Sequence, residues 1–299
     1  IRGVLESATL TSDQDEQLLF EGSTACETIA ASGTLGTAGA RIDVALQLDR
    51  QGRSVDPRVK ELGFTFIETE HETVRIVNTH GLDLKHTADN CAAYVETVAR
   101  EGERVATGDA SVVTPNLSEI DTQALAKEAV EKAVFQLDAS PCESGEMAVI
   151  LDNGAMTSLR GVFTGIFSAD AAQKGLSLLA GKEGEMIAAP CVSIIDDPHR
   201  KGGLFSCGFD AEGVATQRKA VVENGKLNTL LHNLKTAKKA GTTTTANAAR
   251  AGYAGPVTIA PSNLYIAPGE KELDALQAEM GDGLVISGVT GLQAGANVV

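Results

Sequence analysis

Residues 62–79, LGFTFIETE followed by HETVRIVNT, alternate apolar and polar side chains with a period of two. That is the period of a strand with one wet face, and it argues against a helix over the same residues. The pattern predicts two antiparallel strands turning around Glu70-His71. Gly81 ends the second, and AYVETVARE (93–101) is a further strand of the same sheet. Two other stretches have helical spacing. GARIDVALQLDR (39–50) brings Ile42, Ala45 and Leu46 together with Leu48 beside them, before Asp56-Pro57 punctuates the chain. DTQALAKEAVEKAVFQL (121–137) is the clearest helix: Leu125, Ala129, Ala133 and Leu137 form one stripe, and Lys127, Glu128, Glu131 and Lys132 the wet side. Ser118 or Asp121 can cap it. Gly102, Gly108, Pro115 and Asn116 interrupt residues 102–120, a candidate boundary, and SPCESGE (140–146) is a second linker.

Beyond the linker, MAVILDNG (147–154) predicts a buried strand with an Asn-Gly turn, and the small, Gly-interrupted residues 155–190 predict closely packed helices. CVSIID (191–196) is a strand. VATQRKAVVENGKLNTLL (214–231) is a hairpin about Asn224-Gly225, the dipeptide best suited to a two-residue turn. NLKTAKKAG (233–241) is a helix stopped at Gly241, and TTTTANAARAGYAGP a long polar loop. Strands near VTIA and NLYIA, a helix at EKELDALQAEMG and a strand GLVIS complete the chain. Strand-rich stretches with interspersed helices and no βαβ alternation predict an α+β fold. The expected division is a smaller sheet-and-helix domain over 1–140 and a larger, mostly antiparallel mixed domain over 141–299.

Aromatics make up only 4% of the 299 residues, so the core must be aliphatic. The net charge of −15 and the lack of an Arg/Lys stripe argue against nucleic acid as a partner. No apolar run approaches membrane-spanning length. The start IRGVLES shows no signal peptide, so a cytoplasmic protein is expected; that start and the ANVV finish suggest a trimmed fragment. Cys26, Cys91, Cys142, Cys191 and Cys207 have no CxxC spacing and are expected as reduced thiols.

The residues with chemistry in them concentrate in IIDDPHRKGGLFSCGFDAEG (194–213). Asp196, Asp197 and His199 have the types of an acid, a base or metal ligands. The same aspartates can instead cap turns that the glycines permit, and the two readings stay open on residue types alone. His71-Glu72 begins a zincin pattern, but Arg75 and Ile76 stand where a second histidine would be. His80, His86 and His232 read as surface or helix-entry residues. No nucleophile elbow, P-loop or dinucleotide fingerprint is present. The hydroxyls and amides of 242–256 can bind a ligand or a peptide backbone, or form a surface loop.

The run DDPHRKGGLFSCGFDAEGVATQRKAVVENGKLNTLLHNLKTAKKAG resembles the TldD/PmbA family, on its PmbA (TldE) branch: D-P-H, G-G-L, F-D-x-E-G-V-x-T-x-R, an N-G hairpin and an A-x-K-x-G-like helix end. DPRVKELG (56–63), the strand ending NTHG (74–81) and GLVISGVTG (283–291) add to the resemblance, which covers most of 40–299. It implies a two-subunit metallopeptidase whose TldD-type subunit carries a His-Glu-x-x-x-His helix and a distant cysteine as ligands. The PmbA-type partner lacks that motif and helps enclose a chamber admitting unfolded peptide. The motif's place falls here at Arg160–Gly165, RGVFTG, where Arg160, Gly161 and Gly165 stand in a degenerate position and no zinc site can be assembled. The resemblance further implies that this chain lacks the family's first segment and last strands. The family's older label as a modulator of DNA gyrase does not change the charge argument.

The expectation is a chain without catalytic residues or metal of its own, inactive alone, with zinc only in a TldD-like partner. Its partners would be that subunit or a second copy, and unfolded peptide. Asp197, His199, Asp210, Glu212 and Arg218, with Thr243, Thr244 and Asn247 of the long loop, are expected to face substrate or partner. The alternatives are a homo-oligomeric peptide-binding or scaffold protein of the same fold, and a stand-alone hydrolase using Asp197 and His199.

Overall fold

A strand at the edge of a sheet keeps one side open to water, so polar residues in its middle need not turn the chain. In the computed structural model, which describes residues 18–22, 25–29 and 33–295, β1 (Val59–Val77) runs straight through Glu70 and His71. It pairs antiparallel with β2 (Asp83–Glu101), His71 opposite Asp89. The turn expected at Glu70-His71 therefore lies at 78–82. There the Asn78 carboxamide oxygen accepts from the backbone N–H groups of His80 and Leu82, and Gly81 takes φ 89°. Residues 93–101 are the second half of β2 rather than a separate strand. The candidate boundary 102–120 instead holds β3 (Arg104–Thr114), joined to β2 through Gly102 at φ 61°.

Along β2 every second residue from Asp89 to Ala99 is buried, which defines the covered face. Its cover is α1 (Ala38–Val55), longer than the stretch 39–50 expected, and α2 (Thr122–Leu137). Asp121, not Ser118, caps α2 by accepting from the Ala124 N–H at 3.0 Å. Leu125, Ala129, Ala133 and Leu137 are buried as the stripe predicts. Small residues set the spacing. A Cβ added at Gly108 of β3 would lie 2.3 Å from the Ala133 nitrogen and 2.4 Å from the Ala129 oxygen. The buried Thr97 hydroxyl lies 3.0 Å from that same Ala129 oxygen, bonding strand to helix. Leu48, Cys91, Val95 and Ala110 fill the space between, an aliphatic core as composition requires.

The second half is built from short pieces. β4 (Ala148–Leu151) leads into α3 (Asn153–Phe163), a 3-10 turn Thr164–Phe167 and α4 (Ala169–Gln173). Asn153-Gly154 opens α3, with Asp152 accepting from Ala155 N–H, and does not form the expected turn. Residues 174–193 are turns and irregular backbone, not helices. β5 (Ile194–Asp196), β6 (Lys219–Glu223), β7 (Lys226–Leu227) and β10 (Leu264–Ile266) form an antiparallel sheet in the order β10-β5-β6-β7. The hairpin at Asn224-Gly225 is present with both residues at positive φ, but its ladder is confined to 222–227. α5 (Leu234–Ala240) ends at Gly241 in the left-handed region. The stretch 242–256 is no surface loop throughout: Ala246, Asn247 and Ala248 are buried, and β8 (Ala248–Ala249) pairs with β9 (Thr258–Ile259). α6 (Leu273–Met280) precedes β11 (Gly283–Ile286), which returns parallel to β4.

The fold is thus α+β with largely antiparallel sheets. Phe167, Leu179, Val221, Val222, Leu227 and Leu231 centre the second core. Leu82 and Leu84, at the tip of the first sheet, pack with Phe209 of the second half. No helix among the described residues is long and apolar enough to cross a membrane. The opening IRGVLES and closing ANVV lie outside the described residues.

Candidate functional site

β5 delivers Asp196 to the interior, where it is fully buried. A buried carboxylate needs a partner for every lone pair it can reach. Asp196 has the Lys219 ammonium of β6 at 3.1 Å, the Asn247 amide at 2.8 Å and the Ser262 N–H at 2.8 Å. Asn247 also donates to Ala260 O and accepts from the Thr245 hydroxyl. One ion pair and its amide thus lock β5, β6 and the 242–263 segment together.

The rest of the motif turns around this lock. Asp197 accepts from the His199 N–H at 3.0 Å, a turn-capping contact, with the exposed Arg218 3.7 Å from its other oxygen. His199 Nδ1 lies 2.8 Å from Glu27 and its Nε2 3.2 Å from the Thr216 hydroxyl, which donates to Cys207 O. The Asp210 carboxylate accepts from the N–H groups of Glu212, Val214 and Ala248, while burial pushes its carboxyl above the usual range. Glu212 caps the start of α5 by accepting from Leu234 N–H at 2.8 Å. Burial, reinforced by neighbouring Asp210, pushes the Glu212 carboxyl up to about 7. The Thr244 hydroxyl donates to His232 O, and Thr243 is exposed beside it.

A cavity of about 770 Å³ opens beside this framework, lined by Arg160, Asp210 and Asn247 among the expected residues. Glu212 faces a second cavity of about 800 Å³ between the two halves, and Ala211 and Arg250 border both. Asp197, His199, Arg218, Thr243 and Thr244 line neither. Arg160 and Gly161 occupy the last turn of α3 and Gly165 the 3-10 turn after it. The Arg160 guanidinium donates to Leu264 O of β10 at 2.6 Å. Among the described residues no cluster of three or more His, Cys, Asp or Glu side chains could hold a metal ion. The donor set does not fit a tetrahedral zinc site. Cys207 borders the first cavity, but burial pushes its thiol up, away from the thiolate a nucleophile requires.

Lys219, Arg200 and Arg250 belong to this framework or line its cavity, and residue types alone do not single them out. Arg200 stacks its guanidinium 4.0 Å above the Tyr265 ring, a pairing made across 65 residues of sequence. The Asp196–Asn247 bond spans 51.

The chain matches the PmbA/TldA metallopeptidase central domain over residues 37–137 and the C-terminal domain of the same family over 144–299. It is 33% identical over 238 residues to a protein named metalloprotease from Methanothermobacter thermautotrophicus, covering 77% of this chain and 51% of that protein. A metalloprotease PmbA homologue of Haemophilus influenzae is 25% identical over 86% of this chain and 55% of its own length. A Thermotoga maritima protein, described as a modulator of a DNA gyrase, superimposes with a TM-score of 0.89 at 33% identity, over all of this chain and 68% of that one. The chain spans about half the length of the curated relatives it matches.

Proposed function

The chain belongs to the TldD/PmbA family and is PmbA/TldE-like, and on that premise we propose that it is the metal-free subunit of a two-component peptidase. In this reading it assembles with a TldD-type subunit, which supplies zinc and cleavage, and it helps confine unfolded peptide in a cytoplasmic chamber. The observation that carries it is Arg160. At the place where a zinc-binding helix would present histidine and glutamate, this chain has an arginine whose guanidinium is bonded to the backbone of β10. Gly161 and Gly165 beside it offer no ligand at all. The first cavity, bordered by buried Asp210 and Asn247, is the surface offered to peptide.

Co-expression with a TldD-like protein tests this. Cleavage of an unfolded peptide that requires both chains and is abolished by chelator is the expected result. Metal-dependent cleavage by this chain alone would overturn the reading. Failure to form a complex would favour a homo-oligomeric peptide-binding scaffold.

A further inference from the structure

Forty acidic residues against twenty-five basic ones leave few cations in this chain without a nearby carboxylate. Three arginines border the 770 Å³ cavity; Arg160 and Arg200 have no salt bridge among the described residues, and Arg250 has one carboxyl, that of Glu212, near enough to feel its charge. Arg160 donates to Leu264 O, Arg250 donates to Gly255 O, and Arg200 lies over the Tyr265 ring. Each contact uses a face or one edge of a guanidinium and leaves further N–H donors. The single carboxyl in the lining, Asp210, has its oxygens turned to three backbone N–H groups and is unavailable to them. Stacking on an aromatic ring and bonding to a carbonyl fix a guanidinium without neutralising it, which is how a fork for a carboxylate is preorganised. Phe205, 70% exposed, adds an apolar contact at the same cavity.

We infer that this cavity is an anion-recognition site for the carboxylates of an extended peptide, with Arg200 and Arg250 as its adjustable contacts and Arg160 as its fixed one. The inference rests on the peptide-handling role proposed above and gives it a selectivity. Peptides with acidic side chains or a free carboxyl terminus are held more tightly than neutral or basic ones.

The test is fluorescence anisotropy on this chain alone, without partner or metal, using one unfolded peptide in four forms. These carry Glu or Gln at the acidic positions and a free or amidated end. The Glu or free-acid form is expected to bind roughly tenfold tighter than the neutral amide, the size of a charge-assisted contact. The double variant Arg200→Gln/Arg250→Gln should erase that ratio, with circular dichroism at the assay temperature showing that the variant is folded when it is measured. Loss on amidation alone assigns the site to the chain end; loss on Glu→Gln alone assigns it to side chains. A ratio near one in the unaltered chain, or one that survives in the double variant, overturns the inference. Because neither partner nor zinc is present, failed co-cleavage with intact acidic selectivity would overturn only the peptidase role, and the reverse result only the anion site.

Discussion

Glu212 shows what enclosure does to a single side chain. Its neutral form is the one the folded protein favours, since its carboxyl titrates near 7 there and in the ordinary carboxylate range when unfolded. The folded state therefore binds more protons between those two values, and stability must fall as pH rises through that window and level off above about 7. Glu212→Gln keeps an oxygen for the Leu234 N–H and removes the titration. It should stabilise the chain at pH 8 relative to pH 5 by on the order of 2 kcal/mol, read from urea melts at both values. A flat difference across that range would contradict the assignment. Gly108 makes the opposite point, since its reason is room and not charge. Gly108→Ala puts a methyl group against the backbone of α2 and is expected to cost about 2–3 kcal/mol in denaturant unfolding.

Among elements, α2 was legible because nothing but its own period was needed: the stripe Leu125 to Leu137 and the cap at Asp121 are local facts. The existence of β1 and β2 was equally plain in their alternation. Their length was not, because Glu70-His71 has the composition of a turn and only its edge position, opposite Asn90 and Asp89, keeps it extended. The short strands of the second half were the least legible. β5, β8 and β10 are two or three residues each, too short for any period, and are held by side chains bonding backbone and one another across 38 to 66 residues of sequence. For the same reason the aspartates of 194–213 could be read as catalytic or as structural, and only their partners decide. Asp196→Asn makes this measurable. It strips the partly buried Lys219, 12% exposed, of its fully buried counter-charge and should cost roughly 3 kcal/mol. Adding Lys219→Met to the same chain should recover much of that loss. A double variant no better than the single would mean that the bonds of Asp196 to Asn247 and the Ser262 N–H, not the ion pair, carry the loss.

At the scale of the whole molecule, the two halves meet where Leu82 and Leu84 pack on Phe209 and where Gly213, at φ 87°, leaves space for the Leu82 side chain. Leu82→Ala is expected to cost about 3 kcal/mol and to split one calorimetric transition into two, as each half comes to melt by itself. A single, merely lowered transition would show that the second cavity's other walls couple the halves instead. The ladder behind that contact has a mechanical meaning. β2 carries Leu84 at one end and Thr97 thirteen positions along, a run of roughly 40 Å at the rise of an extended strand. Thr97 is bonded to α2, and both its neighbouring strands are paired beside it. That bracing covers only Cys91 to Glu101; from Asp83 to Asn90 β2 pairs with β1 alone, so the tip that borders the second cavity extends from the braced half as a two-stranded ribbon.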